Sequence, residues 1–166
     1  MTIIQQFSRQ LEQEAQTTRK MLSIVPDDKY DWKPHTKSMT MKRLVTHIAE
    51  LPSWIKMTLT TDELDFSKNP YKVENVTTNG ELLDYFERMV EEGKSYLKED
   101  YADSLSENWT LRDGETIYDV SPKVDVLRMA LSQIIHHRAQ LGVYLRLLDI
   151  PIPGSYGPSA DEGFKA

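Results

Sequence analysis

The chain has 166 residues, 39% of them hydrophobic, and 26 acidic against 20 basic residues give a formal net charge of −6. That is the length of one domain, 1–166, with enough apolar side chains to close a core without cross-links. The absence of cysteine excludes disulfides, thiolate metal ligands and any mechanism with a protein thiol as nucleophile, and the dispersed acidic charge leaves no basic stripe for nucleic acid or anionic lipid.

No apolar run approaches the roughly 20 residues that span a bilayer. The opening MTIIQQFSRQ reaches polar residues too soon for a signal-peptide core, so a cytoplasmic location is expected, with neither membrane nor nucleic acid as partner.

In chain order, the first predicted helix runs from about Thr2 to Leu22, with Ile4, Phe7, Leu11, Ala15 and Leu22 at helical spacing and Gln, Glu and Arg on the other faces. A connector around Trp32, Pro34 and His35 leads to a second helix capped by Ser38 or Thr40, with Met41, Leu44, Ile48, Leu51 and Ile55 inward. Pro52 removes a backbone donor inside that pattern and predicts a bend or break near Glu50 to Ser53. Thr78-Asn79-Gly80-Glu81 fits a capping box for a third helix carrying Leu82, Phe86, Met89, Gly93 and Leu97. The turn signal Arg112-Asp113-Gly114-Glu115 predicts a small hairpin of Trp109 to Leu111 with Thr116 to Tyr118. Ser121 and Pro122 are read as the cap and first-turn proline of a fourth helix, with Val124, Leu127, Leu131, Ile134, Leu141 and Leu145 on one side, ending before Pro151. The Pro- and Gly-rich tail, Pro151 to Pro158, is read as irregular. The fold class expected is all-α.

Helical phase places His47 between Leu44 and Leu51, and His137 between Ile134 and Leu141, each on or beside a buried stripe. Gln133 lies one turn before His137 on the same face, while His136 is turned about 100° away. Two inward nitrogens from different helices and a third polar side chain are the minimum for a cation in a helical core. Each residue alone is more commonly a hydrogen-bonded core or surface group than a ligand, and His35 and His136 are read as solvated or hydrogen-bonding side chains. Glu50, three residues after His47, is placed to orient that ring or to act as a base, although a solvated glutamate is the commoner case. Arg138 and Gln140 are read as members of an interhelical hydrogen-bond network. No Glu-x-x-His pair, HExxH, GxGxxG or GxxxxGK[ST] is present, so di-iron, zincin, dinucleotide and P-loop readings lack a motif.

The segments WKPHTKSMTMKRLVTHIAELPSW and HHRAQLGVYLRLLDIPIPGSYGPSADE resemble the two hallmark segments of the DinB/YfiT-like superfamily. The resemblance implies a four-helix bundle of up-down-down-up topology, a homodimer, and a divalent metal (Zn, Ni, Fe or Mn) held by three histidines. Two of these fall on His47 and His137, and the third position, one turn before His137, is Gln133. An amide oxygen is a weaker donor than imidazole for borderline metals, so the departure lowers the expected affinity. The activity implied is that of a metal-dependent hydrolase, or of a transferase joining a low-molecular-weight thiol to an electrophile in stress response or detoxification. The competing expectation is a non-catalytic binding or stress-response protein whose metal site has degenerated at Gln133.

Overall fold

The structure is a computed structural model that describes residues 1–70 and 72–163. Among these residues lie five α-helices and one three-stranded sheet: α1 (Ile3–Leu22), α2 (Met41–Glu50), α3 (Trp54–Thr60), β1 (Glu63–Asp65), α4 (Asn79–Tyr96), β2 (Asn108–Asp113), β3 (Thr116–Pro122) and α5 (Lys123–Leu147). The all-α, four-helix expectation is therefore corrected to a mostly helical fold that also contains a sheet.

The helix count rises to five because the second predicted helix breaks where proline demands. Leu51–Ser53 forms a 3-10 turn between α2 and α3, with Pro52 in its first turn. The turn is packed tightly: a Cβ on Gly93 of α4 would fall 2.5 Å from the Pro52 carbonyl oxygen, so the close approach of these two backbones requires glycine.

Helix starts follow the capping chemistry. The Thr2 and Thr78 hydroxyls accept from the backbone N–H groups of Gln5 and Glu81, whose side chains accept in return, and of the two candidates it is Thr40 that caps α2. The inward stripe of α4 differs from the expected one at two places: Val90 is buried while Met89 is half-buried, and Leu97, though buried, follows the end of the helix as its C-cap. A larger correction concerns α5: Ser121 and Pro122 belong to β3, and the Ser121 hydroxyl donates to Asp119 Oδ2 rather than capping the helix.

The predicted hairpin is present, with longer strands, and Gly114 takes a φ of 57° in its tight loop. The sheet extends beyond it because β1 pairs with β2 in parallel, Glu63 opposite Thr110 and Asp65 opposite Arg112. Asp65 secures this corner by accepting hydrogen bonds from the Ser67 hydroxyl and backbone and from the Gly114 N–H. Those donors, the Ser67 hydroxyl foremost, hold its carboxyl well below the usual carboxylate range.

α1 packs on α4 and α5, and so do α2 and α3. Two apolar clusters fill the interior. One contains Leu11, Leu51, Ile55 and Ile134, the other Ala15, Ile48, Phe86 and Leu141. The residues lying in sequence between the two clusters on α1 and α5 include Glu14, His137 and Arg138, and His47 and Glu50 occur at the corresponding level of α2. A polar layer thus separates two apolar halves.

Candidate functional site

His47 and His137, on α2 and α5, meet in this layer with ring centroids 4.7 Å apart and planes inclined at 69°. Both rings are half-buried, and each is held by a side chain three residues later on its own helix. His47 Nδ1 lies 2.5 Å from Glu50 Oε1, and His137 Nδ1 lies 2.8 Å from Gln140 Oε1. A carboxylate and an amide carbonyl only accept, so Nδ1 of each ring is the donor in these contacts.

Neither Nε2 atom has a hydrogen-bond partner among the described residues. The buried side-chain polar atoms without a partner there are the Tyr30 hydroxyl and Thr58 Oγ1, which leaves the two imidazole nitrogens with access to solvent. Burial, opposed by the Gln140 contact and reinforced by His47, His136 and Arg43, lowers the pKa of His137 and favours the uncharged ring. Arg43 Nη1 stands 3.9 Å from Glu50 Oε1, so the carboxylate is shared between a ring and a guanidinium.

Gln133 is half-buried, one turn before His137, and its side chain makes no hydrogen bond among the described residues. Among those residues, no three His, Cys, Asp or Glu side chains converge on one point. Two imidazoles therefore meet here without a third, and any further ligand for a cation would have to come from a weaker donor such as an amide oxygen. Of the remaining histidines, His35 stands apart from the pair, whereas the His136 ring centroid lies 4.8 Å from that of His137. His35 is exposed and accepts from the Lys37 N–H in the connector, and His136 is exposed with its Nε2 3.2 Å from Gln140 Nε2.

Arg138 is interhelical, as the sequence suggests: its Nη1 donates to Glu14 Oε2 at 2.6 Å and to the Thr18 hydroxyl at 3.0 Å on α1. Gln140 differs, because its bonds to His136 and His137 stay within α5. Glu14, expected on an outward polar face, is instead 5% exposed; its place three after Leu11 and one before Ala15 is the signal that marks it as inward. Asp161 and Glu162 fasten the tail: Asp161 accepts from both terminal nitrogens of Arg146 and from the Ile152 N–H, and Glu162 from the Gly154 and Ser159 N–H groups.

The sequence profile of the DinB family matches residues 1–163. The chain belongs to the DinB family. Solved structures of DinB-like proteins share its fold at low sequence identity. One from Bacillus subtilis superposes with a TM-score of 0.69 at 18% identity, covering 90% of this chain and 96% of its own. A candidate DinB family member from Exiguobacterium sibiricum gives a TM-score of 0.69 at 19% identity, with 93% and 97% coverage. A DinB-like protein from Bacillus cereus gives 0.67 at 20% identity, with 90% and 95% coverage. No curated protein matches the chain. In this DinB family protein no helix among the described residues is long and apolar enough to cross a membrane.

Proposed function

We propose that His47 and His137, with Gln133 as a weaker amide ligand, hold one divalent cation (Zn, Ni, Fe or Mn), and that the protein is a metal-dependent hydrolase or low-molecular-weight-thiol transferase acting in stress response or detoxification. The observation that carries the reading is the pair of imidazoles 4.7 Å apart, each with Nδ1 tied to an oxygen and Nε2 unpartnered among the described residues. An imidazole fixed in this way through its far nitrogen is the usual state of a metal ligand. A bound cation would lower the pKa of a thiol or water and raise the supply of nucleophile near neutral pH. Glu50 orients His47 and is the carboxylate in contact with the ligand set, which suits it to receive a proton from that nucleophile.

A second reading, a non-catalytic binding or stress-response protein with a degenerate site, is favoured by Gln133 standing where a third imidazole would complete the set. Elemental analysis of untagged protein decides between them. About one equivalent of transition metal is expected, lost in both His47→Ala and His137→Ala, while Gln133→His should tighten Zn²⁺ binding by more than about tenfold. Protein that stays metal-free after incubation with Zn²⁺, Ni²⁺ and Mn²⁺ would leave the second reading standing.

The same proposal takes the chain as a single cytoplasmic domain with its helices in up-down-down-up order, assembling as a homodimer. The outer face of α5 supports this assembly: Val143 and Leu147 are each 59% exposed, one turn apart, beside Tyr156 of the tail at 72%. Light scattering is expected to give twice the chain mass, falling to one chain mass in Val143→Glu/Leu147→Glu; a monomeric wild type would refute it.

A further inference from the structure

His137 is fixed by a side chain that is itself fixed. Gln140, three residues later on α5, points its carbonyl oxygen at His137 Nδ1 at 2.8 Å and its Nε2 at His136 Nε2 at 3.2 Å. Residues three and four apart on a helix share a face, which lets one amide reach both rings. An amide has one donor end and one acceptor end, so the end given to one histidine determines the end given to the other. With the NH₂ group turned toward His136 Nε2 at 3.2 Å, a His136 ring that accepts there leaves the carbonyl for His137, whose Nδ1 then carries the hydrogen of that contact.

His47 needs no such arrangement. Its partner Glu50 is a carboxylate, both of whose oxygens accept, so either orientation leaves hydrogen on Nδ1. The two rings share the same i, i+3 spacing to their partners, yet only His137 depends on which way an amide faces.

We propose that Gln140 is a positioning residue which, held in orientation by His136, fixes His137 as the Nδ1–H tautomer and keeps its Nε2 as an electron-pair donor. The inference rests on the reading of His137 as a ligand only for its functional consequence; the tautomer itself is a property of the metal-free chain. Without Gln140 the ring is released to exchange between tautomers, and the fraction with hydrogen on Nε2 cannot coordinate through that atom. The exposed His136 thereby acquires a role: it selects the amide orientation.

The test is long-range ¹H–¹⁵N NMR of histidine-labelled, metal-free protein at a pH where the rings are neutral, followed by Zn²⁺ titration. His137 in the wild type is expected as Nδ1–H. Gln140→Leu should shift it toward Nε2–H and weaken Zn²⁺ binding about 10–100-fold. Gln140→Glu, which can only accept, should retain Nδ1–H, and His136→Ala should give a mixture. A wild-type ring found as Nε2–H, or a folded Gln140→Leu variant still as Nδ1–H, would overturn the proposal. A wild type that binds no Zn²⁺ while its tautomers respond as stated would remove the metal site and leave the positioning role intact.

Discussion

Replacing Arg138 with alanine is expected to lower stability by about 3–5 kcal/mol, because it strands a buried carboxylate. Arg138 is 2% exposed and Glu14 5%, and they are joined at 2.6 Å between helices α1 and α5. The same guanidinium donates to the Thr18 hydroxyl and, through Nη2, to the Ser155 and Tyr156 hydroxyls at 3.2 Å, while the Tyr156 hydroxyl donates to the other Glu14 oxygen. Alanine removes the positive partner, several hydrogen bonds and the anchor of the tail together. At about 2–4 °C per kcal/mol for a domain of this size, a fall in Tm of roughly 6–20 °C should appear in thermal unfolding. The double variant Glu14→Leu/Arg138→Met should recover most of it, since apolar groups of similar volume commonly replace a buried ion pair at little cost. A loss below about 1 kcal/mol in Arg138→Ala would mean that the pair contributes no more than an exposed one.

Trp109→Ala should be comparably damaging, at about 3–5 kcal/mol. Trp109 is 2% exposed in β2, its ring centroid lies 6.3 Å from that of Trp54, and its Nε1 donates to the Thr61 hydroxyl at the end of α3. It is the side chain through which the sheet grips the helical body. Trp109→Phe keeps most of the packing and loses the hydrogen bond, so a cost of about 1–2 kcal/mol is expected. Urea unfolding followed by the helical circular dichroism signal is the appropriate measurement. An unchanged helical transition in Trp109→Ala would show that the sheet and the helices unfold separately.

The helices were legible because their signals are local: apolar spacing, capping boxes at Thr2 and Thr78, and the interruption at Pro52 all act within a turn or two. What was not legible depends on distant partners. β1 is three residues long and exists because Glu63 to Asp65 meet Thr110 to Arg112, a parallel pairing that no nearby residue specifies. Ser121-Pro122 has the composition of a helix start, but the pairing of Asn108 with Pro122 carries the extended backbone through both residues. Glu14 goes inward because Arg138, 124 positions later, neutralises it there. In the site, helical phase brought out His47 and His137 and the spacing brought out Glu50, whereas the amide link from Gln140 to both His136 and His137 needed side-chain geometry.

The sheet order β1–β2–β3 has a consequence for the molecule in concentrated solution. Its two edges are unlike. The β1 edge offers only three residues, while β3 is seven residues long and exposes Ile117 and Tyr118 at 58% and Val120 at 50%. A rail of backbone donors and acceptors flanked by apolar side chains is a template for another extended chain. Three features blunt it: the irregularity in pairing between Leu111 and Arg112 that twists the ribbon, the charge of Asp119 between Tyr118 and Val120, and the proline that closes the strand. Asp119 thus sets a negative charge among the apolar side chains of this strand, which disfavours strand-by-strand self-association on a face remote in sequence from the histidine layer.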